Sequence, residues 1–187
     1  TLSGIKIEWG GKNNTIILYG QHQFLNCLLQ TGGDSTFVIR ESQFPIWGLR
    51  FFAKWAPHNT FYIGKNFRCY GVDFRAAEAG IHHYIGDNCL FSYDVTLRST
   101  DAHSIFDGNK KLINRASDFY IGNNVWICHH VEVLKNACIL DGTIIGACSL
   151  VVKKQNEKNI LIAGNPTKLI RKDIYWDFKN PSYFDAL

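Results

Sequence analysis

The sequence contains no methionine, even at its first position, so Thr1 follows a removed initiator or the chain is trimmed. Proline is scarce, at 4 of 187 residues. Charged residues make up 19%, against roughly 25% in an ordinary soluble domain. So little charge excludes a disordered polyelectrolyte, and 46% apolar residues are enough for a real core. No stretch approaches the ~18 consecutive apolar residues of a membrane helix, so no membrane span is expected. No basic segment leading into an apolar one opens the chain, so no secretory signal is expected either. Also missing is any CxxC pair among Cys27, Cys69, Cys89, Cys128, Cys138 and Cys148. Without a signal, these read as small buried hydrophobes in a reducing cytoplasm. The excess of 20 basic over 16 acidic residues is too slight for a nucleic-acid partner. The basic residues thicken only near the end, at Lys153, Lys154, Lys158, Lys168, Arg171 and Lys172. A chain of this length is expected to form one domain.

What the sequence does have is a period of six. Every sixth residue from Ile121 is a β-branched aliphatic: Ile121, Ile127, Val133, Ile139, Ile145 and Val151. Four positions after each of the first five stand Val125, Val131, Ala137, Thr143 and Ser149, all small or β-branched, and Gly122, Gly142 and Gly146 fall near expected turns. A helix repeats at three and four and a strand at two, so neither explains six. A short strand plus a tight corner does. Three such units close a triangular coil of eighteen residues with sides of roughly 16 Å. Successive coils then stack Ile121 over Ile139 and Ile127 over Ile145. Such a solenoid buries a core only by stacking several turns.

The same phrase recurs upstream, as Tyr62-Ile63-Gly64-Lys65-Asn66-Phe67, Tyr84-Ile85-Gly86-Asp87-Asn88-Cys89 and Tyr120-Ile121-Gly122-Asn123-Asn124-Val125. Ile17-Leu18-Tyr19 and Val38-Ile39-Arg40 read as degenerate earlier copies. One solenoid is therefore expected over residues 1–187, with irregular coils over 1–60 and regular coils over 61–166. An exposed loop at about 104–117 interrupts it, around Asp107-Gly108-Asn109-Lys110-Lys111. Loops of that length are often functional. Ile160-Leu161-Ile162-Ala163 reads as a last strand and Gly164-Asn165-Pro166 as a turn. Residues 167–178 read as a short helix in a terminal cap over 167–187.

The hexads, with Ile121-Gly122-Asn123-Asn124-Val125-Trp126-Ile127, Ile145-Gly146-Ala147-Cys148-Ser149-Leu150-Val151 and Ala163-Gly164-Asn165-Pro166, resemble the hexapeptide-repeat acetyltransferases. The branch they are most similar to O-acetylates sugars and capsular or lipopolysaccharide glycans, polysialic acid O-acetyltransferases included. The likeness is strong over residues 61–176 and weak before them. It implies an all-β fold, a left-handed parallel β-helix. The handedness rests on the resemblance alone, since the general crossover preference is right-handed. It also implies acetyl-CoA as co-substrate, no metal, and a homotrimer with active sites at subunit interfaces. The implied acceptor is a glycan or activated sugar.

The resemblance places a catalytic base at His103, in Ser99-Thr100-Asp101-Ala102-His103-Ser104 at the mouth of the loop. The chemistry agrees, because an alcohol is a poor nucleophile and an imidazole taking its proton typically gives 10²–10⁴ in rate. No covalent enzyme intermediate is needed. Asp101 either orients that ring, contacts the acceptor or caps a turn. Trp126 precedes an inward Ile127 and so points outward, as a ligand platform or a subunit contact. In the family it lies beside the thioester, where its N–H, or a nearby backbone amide, would stabilise an oxyanion. The likeness further assigns His129 and Ala147 to the pantetheine arm, and Lys153, Lys168 and Arg171 to the nucleotide phosphates. Val152 departs from the threonine common in relatives. On the acceptor side, Tyr70-Gly71-Val72-Asp73 stands where sugar acetyltransferases carry an asparagine, and the polar candidates there are Tyr70, Asp73, Arg75 and Glu78.

Other readings stay open. The same base would serve an amino nucleotide-sugar, or a small alcohol such as serine. A gamma-class carbonic anhydrase would bind zinc through histidines such as His82, His83, His103, His129 and His130. Adjacent histidines on a strand face opposite ways, however, so each pair offers one ligand at most. A scaffold without chemistry is the last alternative.

Overall fold

The computed structural model describes residues 3–186. Thr1, where the question of a removed initiator falls, Leu2 and Leu187 lie outside them. The chain winds repeatedly around three walls, each a parallel sheet. The first wall stacks Ile5–Trp9, Cys27–Thr31, Leu49–Phe52, Val72–Arg75, Val95–Arg98, Glu132–Val133 and Leu150–Val151. The second stacks Thr15–Leu18, Thr36–Ile39, Thr60–Ile63, His82–Ile85, Phe119–Ile121 and Cys138–Ile139. The third runs from Phe24–Leu25 through Ile46–Trp47, Arg68–Cys69, Leu90–Phe91, Trp126–Ile127 and Ile144–Ile145 to Leu161–Ala163. This is the expected all-β solenoid, of about seven turns.

Stacking is in strict register. Leu18, Ile39, Ile63, Ile85, Ile121 and Ile139 form one inward ladder, so the two degenerate upstream phrases sit where the sequence puts them. Ile127 lies under Ile145 in the third wall. The phrase Gly-Asp/Asn has its own cause. The Asp87 carboxylate accepts from Lys65 N, the Asn123 amide from Asp87 N and the Asp141 carboxylate from Asn123 N, at 2.7, 2.8 and 2.9 Å. Each coil thus caps the one before it. The glycine ahead leaves room for this contact, since a Cβ on Gly86 would lie 2.5 Å from Asn123 Oδ1. The corner itself turns two residues after that glycine, at Asn66, Asn88 and Asn124, with φ of 54°, 57° and 53°. Asparagine tolerates that left-handed region better than other non-glycine residues.

Coil length sets core composition. First-wall registers advance by 22 or 23 residues per coil up to Val95, by 36 across the insertion, and by 18 after it. The longer coils enclose a wider interior, and phenylalanine fills it. All the buried phenylalanines, Phe119 the last, precede Ile121, and the narrow coils beyond use isoleucine, valine and alanine. The extra residues fall mainly at the corner between the first and second walls. Most buried polar side chains gather there too: Thr31, Ser35, Asn59, Ser99 and Thr100. Asn59 alone bonds Ala56 O, Glu78 O and Ile81 N, at 2.9, 3.2 and 2.7 Å. Backbone that leaves the ladder needs such partners.

Two expectations are corrected. Residues 167–178 are not a helix: Lys168–Arg171 is a strand returning antiparallel onto Leu161–Ala163, and the helical element is a 3-10 turn at Pro181–Ala186. The third wall would otherwise end on unpaired backbone, and Gly164-Asn165-Pro166 reverses the chain so that this segment covers that edge. Among the thiols, Cys27, Cys69 and Cys89 are buried and Cys128 and Cys138 half-buried, but Cys148 is exposed at a corner, with φ of 56°. No described helix is long and apolar enough to cross a membrane.

His83 replaces a phenylalanine in the core column. It stacks on Phe61 at 4.3 Å and Phe119 at 6.4 Å, with Nδ1 unpartnered among the described residues. Burial drives its pKa down to about 4, against a weaker opposing pull from the Thr60 carbonyl and Asp118. The folded state therefore resists a proton that the unfolded chain accepts below pH ~6.5. Stability is complete above that pH and falls by up to about 3 kcal/mol as pH drops towards 4. Denaturant titrations of wild type and His83→Phe at pH 7 and 4.5 check this. The gap between them should shift in the variant's favour at the lower pH, and a constant gap refutes the assignment.

Candidate active site

The insertion after Ser99 is a short hairpin rather than a free loop. Ile113 N donates to Ile105 O at 3.0 Å and Phe106 bridges Leu112. Its tip turns on Asp107, whose Oδ1 accepts from Asn109 N and Lys111 N at 2.9 Å each. Asn114 ties the base: its Nδ2 reaches Asp101 Oδ2 at 2.9 Å and His103 O at 2.8 Å, and its Oδ1 takes Ile105 N at 2.8 Å. Lys135, from the next coil, pairs with Asp101 and bonds Asn114 O at 2.8 Å. The Lys135 ammonium, then the Asn114 amide, hold the Asp101 carboxyl below its usual range. Asp101 therefore anchors the hairpin and has no bond to the His103 ring.

That leaves the exposed His103 side chain at a fixed mouth. It borders a cavity of about 160 Å³ together with Glu78, Ser104, Asn114 and Arg115. Glu78 Oε1 accepts from Thr100 Oγ1 at 2.9 Å and Ala116 N at 3.0 Å, joining both ends of the insertion. The sequence marks Glu78 as a polar candidate but gives no sign of Asn114 or Lys135. The signal for Lys135 lies in the register, since Leu97 pairs with Val133 and so brings it beside the residues after Ser99.

Trp126 points outward from the third wall, as alternation requires. It is covered by the chain's own tail: Trp176 packs on it at 5.8 Å and donates Nε1 to Asn124 O at 2.6 Å. The Trp126 Nε1 is buried with no partner among the described residues. Tyr175, Trp176, Lys179 and Phe184 border an open hollow of about 550 Å³ beside it. The sequence, read as a helix in this tail, does not point to Trp176. Within one chain His103 and Trp126 border different cavities, one at the insertion after the first wall and one on the third wall.

The other candidates divide likewise. His129 and Ala147 are brought together at one corner on successive coils, where Cys148 N donates to His129 O at 3.1 Å. The His129 ring lies 5.9 Å from Tyr93 and 5.2 Å from His130. Lys153 and Lys168 line one cavity of about 340 Å³, which Arg171 does not reach. Tyr70 and Asp73 share a groove of about 280 Å³ on the first wall, and Arg75 lines a neighbouring one of about 370 Å³ while pairing with Asp73 at 2.7 Å. Among the described residues no three of His, Cys, Asp or Glu converge as metal ligands.

No protein-family model matches the sequence. A polysialic acid O-acetyltransferase of Escherichia coli O1:K1 / APEC is 33% identical over 107 residues, 57% of this chain and 34% of that protein. The chain spans about half or less of the length of the curated relatives it matches. The crystal structure of the polySia-specific acetyltransferase NeuO superposes with a TM-score of 0.66, covering 99% of both chains at 21% identity. A galactoside acetyltransferase solved in complex with coenzyme A gives a TM-score of 0.50 over 88% of this chain and 65% of that one, at 19% identity.

Lys135→Ala should loosen the hairpin without touching the coils. Hydrogen exchange at Ile105 and Ile113 is expected to quicken by about tenfold, the worth of one charge-assisted bond, while Ile121 and Ile139 stay protected. Unchanged exchange at Ile105 would mean the hairpin holds itself.

Proposed function

We propose that the chain is a hexapeptide-repeat acetyltransferase β-helix that transfers acetyl from acetyl-CoA to a hydroxyl of a glycan. The relatives named above support the O-acetyl and glycan parts of this reading. The observation that carries it is His103, an exposed imidazole on a hairpin mouth held by Asp101, Asn114 and Lys135. A general base has to be both reachable and fixed.

In this mechanism the His103 imidazole removes the proton of the acceptor hydroxyl as its oxygen attacks the thioester carbonyl carbon. The new C–O bond leaves negative charge on the carbonyl oxygen. The Trp126 indole N–H donates to that oxygen, and a buried donor without a partner is suited to it, because leaving it unmet costs about 1–3 kcal/mol. Collapse breaks the C–S bond, and the thiolate takes the proton back from His103. The products are CoA and the acetyl ester, with no covalent enzyme intermediate. Since the two groups border separate cavities of one chain, the reaction needs His103 of one copy and Trp126 of another. A homotrimer with sites at its interfaces supplies that arrangement.

The donor lies along the corner of His129 and Ala147. Lys153 and Lys168 meet its phosphates from one cavity, with Arg171 adding charge from the same strand as Lys168. Asp101 acts on the acceptor only through the hairpin it anchors. Tyr70, Asp73 and Arg75 contact the acceptor along the first wall.

Calorimetric titration with acetyl-CoA should give micromolar-range binding, weakened about tenfold by Lys153→Ala or Lys168→Ala. His103→Ala is expected to lower kcat by about 10²–10⁴ while that affinity holds. Trp126→Phe should cost about 10²–10³ in kcat, and an unchanged rate would remove the indole N–H from the mechanism. Activity of His103→Ala within a few-fold of wild type would sink the base assignment.

A further inference from the structure

The outer face of the first wall carries a line of features that the coil architecture does not require. Arg50, Asp73 and Thr96 occupy one outward column on successive strands, and Phe52, Arg75 and Arg98 the next. The columns are roughly 7 Å apart and the strands about 4.8 Å. Three hollows follow one another along these strands. The groove of about 280 Å³ lies over the first column, and the one of about 370 Å³ over the second. Ala102 borders both the second groove and the His103 cavity. The Arg75–Asp73 pair stands between the first groove and the second, so the three hollows succeed one another from Arg50 towards His103.

Its chemistry is specific. The first groove is lined at its corner by Gly48 and Gly71, with φ of 65° and 146°, where a side chain would be strained. Trp47, half exposed, and Tyr70 stand beside that hollow. The cations farther along are already engaged: Arg75 with Asp73 at 2.7 Å, Arg98 with Glu132 at 2.6 Å, and Lys54 over the Trp55 ring at 5.5 Å. Of the acids at the groove, Asp73 is matched by Arg75, and Asp94 lies 3.5 Å from His130. Arg50 is exposed and has no ion-pair or hydrogen-bond partner among the described residues. An unspent guanidinium, in a groove that also holds Trp47, Tyr70 and the polar Thr96, matches a sugar that bears a carboxylate. The rings take its apolar face.

We propose that the outer face of the first wall is a track for an acidic glycan chain, with Arg50 binding the carboxylate of a sugar several units away from the one at His103. This rests on the acetyltransferase reading for its choice of acceptor, and goes beyond it in making Arg50 and Trp47 determinants of chain length and charge. A track of this kind would hold a long chain by its repeated contacts and a single sugar hardly at all.

Direct binding tests it apart from catalysis. Sialic acid oligomers of increasing length, and neutral dextran, are titrated calorimetrically into the full chain without acetyl-CoA. Affinity for the oligomers is expected to rise with length, and dextran to bind at least tenfold more weakly. Arg50→Gln and Trp47→Ala should each weaken the long oligomer by about tenfold. Lys158→Gln, on another face, should leave it unchanged. Equal binding of dextran, or no effect of either track variant, overturns the proposal. So does a change in sedimentation of Arg50→Gln or Trp47→Ala, which would make this face a contact between copies. Acetyl-CoA is titrated into the same protein. If acetyl-CoA binds and no oligomer does, the track fails alone; if only the oligomers bind, the track stands and the acetyltransferase reading fails.

Discussion

Each coil of this protein is held by the coil below it, through an inward side chain stacked on its counterpart and backbone bonds running between them. The five strands from Trp126 to Val151 are only two residues long. Strands so short have no stability of their own, so their order comes wholly from neighbours. A one-residue slip would turn every inward aliphatic to solvent. Three devices pin the register together: β-branched residues facing in, a residue able to take positive φ at the corner, and the Asp87, Asn123 and Asp141 side chains bonding the coil before.

That constraint leaves one place free to vary. The second and third corners repeat closely, while the corner between the first and second walls absorbs the additional residues. There the core gives way to buried Asn59, Ser99 and Thr100, which satisfy backbone outside the ladder. The same corner carries Glu78, the hairpin and His103. The widened interior nearby explains His83: in a column that runs through Phe37, Phe61 and Phe119, a flat ring fits, and the histidine sacrifices its protonation to occupy it.

The period of six made the coil, the stacking partners and the outward aim of Trp126 legible from sequence, because these follow from alternation and from a repeat that sterics enforce. The tail was not legible. Leu169 and Ile170 suit a strand or a helix equally, and what decides is the open edge of Leu161–Ala163, a fact of assembly rather than of local pattern. Nor could spacing find the partners of Asp101. Asn114 and Lys135 reach it from 13 and 34 residues away, a distance fixed only once the insertion's length and the register beyond it are known. Cys148 misled for a similar reason: its period marks it as part of a coil but not as the corner residue that faces solvent.

A filled solenoid has no interior cavity to lend to chemistry, so every functional group must stand on its outside or on an insertion. Outward positions alternate with the ladder and are not constrained by it. Arg50, Asp73 and Thr96 can change without disturbing Leu49, Phe51, Phe74 or Leu97 behind them. The fold thereby separates two demands that compete in most enzymes: stability is written in the inward residues and recognition in the outward ones. The cost is that no single wall can enclose a substrate. His103 stands past the end of the first wall and Trp126 on the third, covered by Trp176 of its own tail. Enclosure has to come from what the solenoid packs against: the tail on one side and, in the reaction proposed above, a second copy on the other. For the reaction proposed here, assembly is then part of the active site itself, and a monomer that folds perfectly well would still lack one.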